Sequence, residues 1–259
     1  MRIAWKFELE KDRVSGVASY LIRLLLPVIQ RFDKSPAKKA TVRLANSTET
    51  QKRVREFYDC DSQVIHPPVN TQSSSGDVTS VQNREYYLCL GRLVDYKRVD
   101  HAIIACNMTG RRLIVAGTGP AEAYLRGIAG PTVEFVGQVD ESLKTQLLRG
   151  ARALLFPGLE DFGIVPVEAM SHGTPVIALG KGGVLDSVTS AAGVLYNDSD
   201  ANSLADAIGE FELESYDPIS IMQHAATFND IHFRQKLLDV VESVQANLSA
   251  EKLSTLNTR

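Results

Sequence analysis

The chain has 259 residues, of which 44% are hydrophobic and 23% are charged, and its formal net charge is −3. This composition excludes a disordered or fibrous protein and supplies enough apolar residues for one sizeable core or two small ones. No apolar run approaches the roughly 20 residues of a membrane-spanning helix. The charged opening stretch also lacks the apolar centre of a secretory signal, so a cytoplasmic protein is expected.

The charged residues are unevenly distributed along the chain. The first 60 residues are basic on balance and the remainder is acidic, and the segments DKSPAKKATVR and QKRVR could meet an anionic acceptor or a lipid surface. A solvated helix face is the alternative explanation for each cluster.

The three cysteines, Cys60, Cys89 and Cys106, form no C-x-x-C pair. We therefore expect reduced, mostly buried thiols and neither a disulfide framework nor a zinc site.

The first predicted elements alternate between helix and strand. The segment from Val17 to Phe32 repeats large aliphatic residues at helical spacing, TVRLANS is a short strand, and Ser47 caps a polar helix with the sequence TETQKRVREFY. SQVIHPPVN is a further short strand, which two prolines stop. The polar stretch from Thr71 to Arg84 has almost no large apolar side chains, so it is predicted to be a loop or interdomain linker.

From Tyr86 onward, strands and helices alternate regularly. The predicted strands are YYLCLG, RLIVAG, VEFVG, ALLFPG, PVIAL and GVLYN, and the predicted helices begin at Val99, Ala121 and Asp140 and near Ile164 and Val184. Nearly continuous apolar strands at this spacing predict a doubly wound α/β domain, with a parallel sheet covered on both faces. The tail from Ser203 to Leu248 is predicted to be helical.

The turns that follow the strands are where a ligand is expected, because ligands of doubly wound sheets bind at the carboxyl ends of the strands. Gly91 and Arg92 follow YYLCLG, and Lys97 comes five positions after the arginine. Glycine lets the backbone pass close to a ligand, and two cations on one turn suit a pyrophosphate. The alternative is that both are solvated surface side chains. The turn GTGP, with Gly117 and Gly119, matches only part of the dinucleotide fingerprint and follows a middle strand, which argues against an NAD(P) enzyme.

The segment EDFGIVPVEA begins at Glu160, directly after the strand ALLFP. Its proline suits the first turn of a helix, so that free N–H groups near Gly163, Ile164 and Val165 would form an anion site that the helix dipole strengthens. Glu160 on the loop and Glu168 on the helix flank this site, and each could hold hydroxyls on one side of a bound phosphate. The alternative is that Glu168 only complements the helix dipole.

Several motifs occur together in a fixed order: GRLVDYKR, LIVAGTGP, VEFVGQV, EDFGIVPVEAMSHGTPVIA and GGVLDSV. In this order and spacing they resemble the donor-binding half of retaining GT-B glycosyltransferases of the group-1 type, and Glu160 and Glu168 match the E-x7-E signature of that family. The resemblance implies a Rossmann-like donor domain of the GT-B fold, with a partial N-terminal segment and C-terminal helices. The segment EDFGIVPVEA is most similar to members that use GDP-mannose.

The resemblance also implies catalytic roles for three residues. Arg92 and Lys97 would contact the pyrophosphate of the donor, and Glu160 would hold the hydroxyls of the transferred sugar. No metal and no cofactor besides the nucleotide-sugar substrate is expected, because cations and helix N–H groups would stabilise the departing nucleoside diphosphate.

Further residues would bind the rest of the nucleotide. Glu168 would hold the ribose hydroxyls, and the base would pack near Val136 to Val139. The remaining donor-binding residues implied by the resemblance are Gly91, Gly117, Gly119, Val136, Gly137, Val139, Gly163, Ile164 and Val165. GGVLDSV departs from the family pattern, because Asp186 and Ser187 replace a glutamate and a threonine, and this makes the sugar specificity less certain.

The resemblance divides the chain into four parts. Residues 1–70 would be a remnant of the acceptor-side domain, 71–85 a linker, 86–218 the nucleotide-sugar donor domain and 219–259 C-terminal helices. MRIAWKF resembles a segment well inside an acceptor domain, so the chain is expected to start in mid-domain. Such a partial domain would leave core surface exposed, and we expect a second subunit or peripheral contact with the inner face of a membrane to cover it.

The predicted function is transfer of a hexose, with mannose favoured, from a nucleotide-sugar donor to a glycan or lipid-linked acceptor with retention of anomeric configuration. Two alternatives stay open at this point: a non-catalytic nucleotide-sugar-binding remnant or subunit of a split transferase, and a GT-B-fold epimerase. No nucleic-acid partner is expected. His66 and His172 flank the motifs and are interpreted as structural.

Overall fold

The computed structural model describes residues 17–71 and 80–257, and it describes side chains for residues 24–71 and 80–250. This part of the chain forms two compact units, with boundaries between Ile65 and His66 and between Leu238 and Asp239. The segment MRIAWKF and most of the predicted linker lie outside the described residues. The four-part division drawn from the sequence stays a prediction.

The described part of the smaller unit begins with two helices and two short strands. These are helix α1 (Val17–Lys39), strand β1 (Leu44–Ala45), helix α2 (Thr48–Tyr58) and strand β2 (Gln63–Val64), and β1 and β2 pair in parallel. The predicted cap of α2 is present, because the Ser47 hydroxyl accepts a hydrogen bond from the backbone N–H of Thr50. Helix α1 continues past its predicted end at Phe32, since the lysines and alanine that follow are good helix formers.

The larger unit contains the predicted doubly wound sheet. Within the described residues this sheet has six parallel strands in the order β5-β4-β3-β6-β7-β8. The strands are β3 (Tyr86–Leu90), β4 (Leu113–Ala116), β5 (Val133–Gly137), β6 (Ala151–Phe156), β7 (Val176–Leu179) and β8 (Gly193–Tyr196). The helices are α3 (Val99–Thr109), α4 (Glu122–Ile128), α5 (Glu141–Gly150), α6 (Ile164–Ser171), α7 (Ala201–Leu213) and α8 (Pro218–Ala225), and α9 (Asp230–Asn257) begins in this unit and crosses the boundary after Leu238.

Two details differ from the sequence-based expectation. The helix predicted near Val184 is a short 3-10 turn, Gly182–Asp186. Two glycines disfavour a helix there, and Gly183 packs so tightly that a Cβ on it would lie 2.1 Å from the carbonyl oxygen of Asp161. The continuous helical tail is instead divided into α7, α8 and α9, because Asp217 and Pro218 start a new helix.

The cysteines are free thiols, as predicted. Cys89 and Cys106 are buried in the hydrophobic core and Cys60 is partly buried. Burial raises the pKa of the Cys106 thiol to about 12. These side chains therefore behave as small apolar residues.

The strand order places the first strand of each half of the sheet side by side. From β3 the chain moves outward through β4 to β5, and from β6 it moves outward in the opposite direction through β7 to β8. Ligands of doubly wound sheets bind at the carboxyl ends of the strands where the order reverses. The loops that follow β3 and β6 are therefore neighbours at this point.

A polar cluster ties β3 and β6 together near their amino ends. Arg152 of β6 forms two hydrogen bonds of 2.6 Å with the carboxylate of Glu212 on α7, and the hydroxyl of Tyr87 on β3 donates to the same carboxylate. Burial alone would raise the pKa of Glu212, but the hydrogen bonds from Arg152 and Tyr87 hold it below its ordinary value. The cluster therefore stabilises the fold while Glu212 is ionised.

We expect Glu212→Gln to lower the free energy of unfolding by about 2 kcal/mol at neutral pH, because a neutral amide replaces the charged partner of Arg152. Since the pKa of Glu212 is lowered in the folded chain, the wild-type advantage is present above the ordinary value of 4.5. It is lost as the pH falls through the lower folded pKa. Urea unfolding of both proteins from about pH 7 to about pH 3 checks this dependence.

The matched control is Glu134→Gln, because Glu134 pairs with Arg112 on the surface. Exposed ion pairs contribute little, so this variant should change the free energy of unfolding by less than about 0.5 kcal/mol at every pH. Equal losses in the two variants at neutral pH would contradict the role given to the buried cluster.

Candidate active site

The loop after β3 folds back over its own start. Gly91 follows β3 with a φ of 137°, and Arg92 is exposed to solvent. Leu93 is buried, and Asp95–Lys97 forms a 3-10 turn that returns the chain towards the strand end. A Cβ on Gly91 would lie 3.6 Å from the Nζ atom of Lys97. The ammonium group of Lys97 therefore lies beside the backbone of Gly91.

The turn after β4 packs directly on the turn after β3. The N–H of Gly117 donates to the carbonyl of Gly137 at 2.7 Å, and Gly117 has a φ of 133°. A Cβ on Gly117 would lie 1.9 Å from the carbonyl oxygen of Gly91, and one on Gly119 would lie 2.2 Å from that of Leu93. Both glycines thus have a structural reason to be glycine, and their predicted contact with a donor stays a prediction.

The loop after β6 meets the loop after β3. A Cβ on Gly158 would lie 2.8 Å from the Cα of Lys97, so only glycine lets the two backbones approach this closely. Two residues later, the Glu160 carboxylate forms an ion pair with the Lys97 ammonium, and the two side chains are only 21% and 17% exposed. The sequence singled out Lys97 and Glu160 but not their mutual contact, and it did not single out Gly158.

The first turn of α6 presents backbone donors. Gly163 precedes the helix with a φ of 87° and supplies no side-chain cap. The N–H groups of Gly163, Ile164 and Val165 donate to no acceptor among the described residues, and the next residue, Pro166, has no N–H. Orphan N–H groups at a helix N-terminus favour an anion. The start of α6 therefore offers unpaired backbone donors, and its role as an anion site stays a prediction.

The 3-10 turn Gly182–Asp186 supports the loop that carries Glu160. The N–H of Gly183 donates to the carbonyl oxygen of Glu160 at 3.0 Å. On the other side of the loop, the ring of Phe162 is buried and stacks on the ring of His66, with 5.4 Å between centroids. His66 Nε2 lies 3.1 Å from the Asp186 carboxylate. These contacts hold the loop at Glu160 and at Phe162.

The residues that depart from the family pattern are therefore engaged within the protein. Asp186 has only 6% of its side chain exposed and contacts His66, and Ser187 is fully buried. The Ser187 carbonyl is also within hydrogen-bonding distance of His224 Nε2, at 2.7 Å. The interpretation of His66 as structural agrees with this arrangement. His172 likewise contacts the Glu168 carbonyl, and burial lowers its pKa.

Glu168 lies one turn into α6 and has a charged partner on α5. Its Oε1 atom accepts a hydrogen bond from the Lys144 ammonium at 3.1 Å, and Lys144 also contacts Glu141 at 2.9 Å. Burial disfavours the charged form of Lys144, but hydrogen bonds to Glu141 and Glu168 raise its pKa above the ordinary value. Nothing in ESLKTQLLRG distinguishes this lysine from a solvated one, so the sequence did not reveal it.

In the described part of the chain, some of the predicted site residues contact one another, but the side chains of Arg92 and Glu168 form no polar contact with them. Backbone contacts and one ion pair bring the turns after β3, β4, β5 and β6 together. Among the described residues, no hydrogen bond or ion pair joins Arg92 or Glu168 to the Lys97–Glu160 pair. Val136 and Val139, predicted to lie near the base, are partly buried against the core at the end of β5.

A family model described as glycosyl transferases group 1 matches residues 71–226. The chain belongs to this family. The match covers the strands, glycine turns and both glutamates of the site described above.

Curated relatives of the chain include mannosyltransferases. An alpha-1,3/1,6-mannosyltransferase of Kluyveromyces lactis is 24% identical over 225 residues, which cover 68% of this chain and 45% of that protein. The enzyme of the same name from Eremothecium gossypii is 35% identical over 115 residues, covering 44% and 21%. A phosphatidyl-myo-inositol mannosyltransferase of Mycobacterium leprae is 46% identical over 72 residues, covering 26% and 19%. The chain spans less than half the length of these relatives.

Solved structures share the fold. The apo lipopolysaccharide outer core galactosyltransferase WaaB has a TM-score of 0.67 at 22% identity, covering 79% of this chain and 62% of that one. HepE of Anabaena, in complex with UDP and glucose, has a TM-score of 0.68 at 21% identity, covering 83% and 66%. This likeness confirms the predicted Rossmann-like sheet of a GT-B glycosyltransferase.

No helix in the described part of the chain is long and apolar enough to cross a membrane.

We expect the Lys97–Glu160 pair to show a coupling free energy of about 1 kcal/mol or more in a double-mutant cycle of Lys97→Met and Glu160→Gln, because both groups are largely withdrawn from water. Urea unfolding of the four proteins measures it. The control cycle uses the Arg126–Glu122 pair, an exposed pair one turn apart on α4, which should couple by no more than about 0.5 kcal/mol. Additive effects of Lys97→Met and Glu160→Gln would contradict the contact.

Proposed function

We propose that the chain transfers a hexose, with mannose favoured, from a nucleotide-sugar donor to an acceptor hydroxyl of a glycan or lipid-linked molecule, with retention at the anomeric carbon. The observation that carries this proposal is the meeting of two loops at the point where the strand order reverses. There Lys97 and Glu160 form an ion pair, and the loop that carries Glu160 leads into N–H groups at the start of α6 that have no acceptor among the described residues.

These groups suit the diphosphate of a nucleotide sugar. Lys97 and the exposed Arg92 supply positive charge, and the N–H groups of Ile164 and Val165 supply fixed donors where negative charge grows as the nucleoside diphosphate departs. Such preorganised groups stabilise the transition state without having to reorient during the reaction. The residues thus perform electrostatic catalysis on the leaving group.

The Lys97–Glu160 pair gives the site a way to respond to the donor. A diphosphate that attracts Lys97 would loosen its contact with Glu160, and the carboxylate could then accept hydrogen bonds from hydroxyls of the sugar. Glu168, on the far side of the helix start, would accept hydrogen bonds from the ribose. In this arrangement the phosphates lie between the two carboxylates, which agrees with the spacing of the E-x7-E motif.

The choice of GDP-mannose is supported by similarity of the segment EDFGIVPVEA to mannosyltransferases and by the relatives. A GDP-mannose-dependent monoacylated alpha-(1-6)-phosphatidylinositol monomannoside mannosyltransferase of Corynebacterium glutamicum is 30% identical over 138 residues, covering 47% of this chain and 36% of that protein.

Contact with the inner face of a membrane or with a second subunit is supported by α1, where Leu24, Leu25 and Phe32 are exposed.

Calorimetric titration with GDP, GMP, UDP, GDP-mannose and UDP-glucose tests the donor site. We expect GDP to bind more tightly than GMP, and Arg92→Ala or Lys97→Ala to weaken GDP binding by about tenfold or more, because each removes a charge-assisted contact to phosphate. The control is Arg112→Ala, since Arg112 lies just before β4 at the opposite end of the strands. Unchanged GDP affinity in both site variants would refute the assignment.

Product analysis separates the proposed reaction from its alternatives. Transfer with retention gives an α-linked product from GDP-α-mannose when an acceptor is supplied, and NMR of the anomeric proton identifies it. An epimerase would convert the nucleotide sugar with no acceptor present. A non-catalytic subunit would bind GDP and form no product even with acceptor extracts.

A further inference from the structure

Lys144 lies between two carboxylates where α5 meets α6. Its ammonium is 3.1 Å from Glu168 Oε1 and 2.9 Å from Glu141 Oε2. Lys144 and Glu168 are only 20% and 23% exposed, whereas Glu141 is 87% exposed. The pair with Glu168 is therefore the more shielded of the two contacts, because the pair with Glu141 lies at the solvent edge.

The backbone of Lys144 is fixed at the start of its helix. Asp140 caps α5 by accepting from the N–H of Leu143, and the N–H of Lys144 donates to the Asp140 carbonyl at 2.8 Å. Asp140 directly follows Val139, and the family resemblance implies that the base of the donor packs near Val136 to Val139. The first turn of α5 thus lies where the nucleoside portion of a donor would be expected.

Helix stability alone gives little reason for a lysine here. A cation near the N-terminus of a helix opposes the helix dipole, and withdrawing a lysine from water has a further cost. The contact with Glu168 offsets both effects. It also leaves Glu168 with one oxygen held by Lys144, while Oε2 accepts no hydrogen bond among the described residues.

We propose that Lys144 is a positioning residue, which fixes the Glu168 carboxylate so that Oε2 accepts a hydrogen bond from a ribose hydroxyl of the donor. This inference rests on the proposed function, because it deepens the role of Glu168. Recognition of the ribose then depends on two residues, Lys144 on α5 and Glu168 on α6, whereas the E-x7-E motif alone would assign it to Glu168.

The mechanism predicts a specific signature. A carboxylate held at one oxygen can direct the other towards a hydroxyl, whereas a carboxylate without that contact rotates and is hydrated. Loss of Lys144 should therefore reduce the part of the affinity that depends on the ribose hydroxyls. It should leave the part that depends on the phosphates nearly unchanged.

The experiment compares binding of GDP with that of 2′-deoxy-GDP and 3′-deoxy-GDP by calorimetry. We expect the wild-type chain to prefer GDP over at least one deoxy analogue by about tenfold. In Lys144→Met that preference should fall to about twofold or less, with the affinity for the deoxy analogue nearly unchanged. Lys144→Arg should keep most of the preference, and Glu141→Gln, which leaves the Lys144–Glu168 contact in place, serves as the matched control.

Several outcomes would overturn the inference. A wild-type chain that binds GDP but does not discriminate against either deoxy analogue would remove the role of Glu168 in ribose binding, and the role of Lys144 with it. A Lys144→Met variant that keeps the wild-type preference, or that weakens all three ligands equally, would make Lys144 merely structural. If the wild-type chain binds none of them, the proposed function itself fails and this inference falls with it. Lys144→Gln, with the same three ligands, covers the case in which the methionine variant does not fold.

Discussion

The structure of the site depends on one ion pair, between Lys97 on the loop after β3 and Glu160 on the loop after β6. These strands start the two halves of the sheet and lie next to each other, so their loops meet without any long excursion of the chain. The approach requires glycine at position 158, where any Cβ would collide with the backbone of Lys97. Sheet topology and one small residue therefore bring a cation and a carboxylate into the same place.

The sequence predicted the sheet well because its strands are nearly continuous apolar runs. Strands that are buried on both faces have an apolar residue at every position, as β4 and β7 do. It also predicted the start of α6, because a local motif marks that turn, while the donor-binding roles of Lys97 and Glu160 stay predictions. The contact between Lys97 and Glu160 could not be read in the same way, since it depends on the adjacency of β3 and β6, which is a property of strand order and not of either segment.

Other features were missed for similar reasons. Lys144 lies in an ordinary polar helix, and only the packing of α5 against α6 brings it to Glu168. The turn at Gly182–Asp186 was predicted to be helical because its apolar residues suggested one, while its tight packing against the Glu160 loop required glycine and a shorter turn. Gly117 and Gly119 were predicted to contact the donor, which stays a prediction, but the sequence did not show that packing on the neighbouring turn requires glycine at both positions. In each case a tertiary contact decided the outcome.

The most direct test of this account is a crystal structure of the chain with bound GDP-mannose. The account predicts diphosphate oxygens within hydrogen-bonding distance of Lys97 Nζ and of the N–H groups at the start of α6, with the sugar against Glu160 and the ribose against Glu168. A nucleotide bound elsewhere on the sheet, with no phosphate near α6 and the Lys97–Glu160 pair undisturbed, would contradict it.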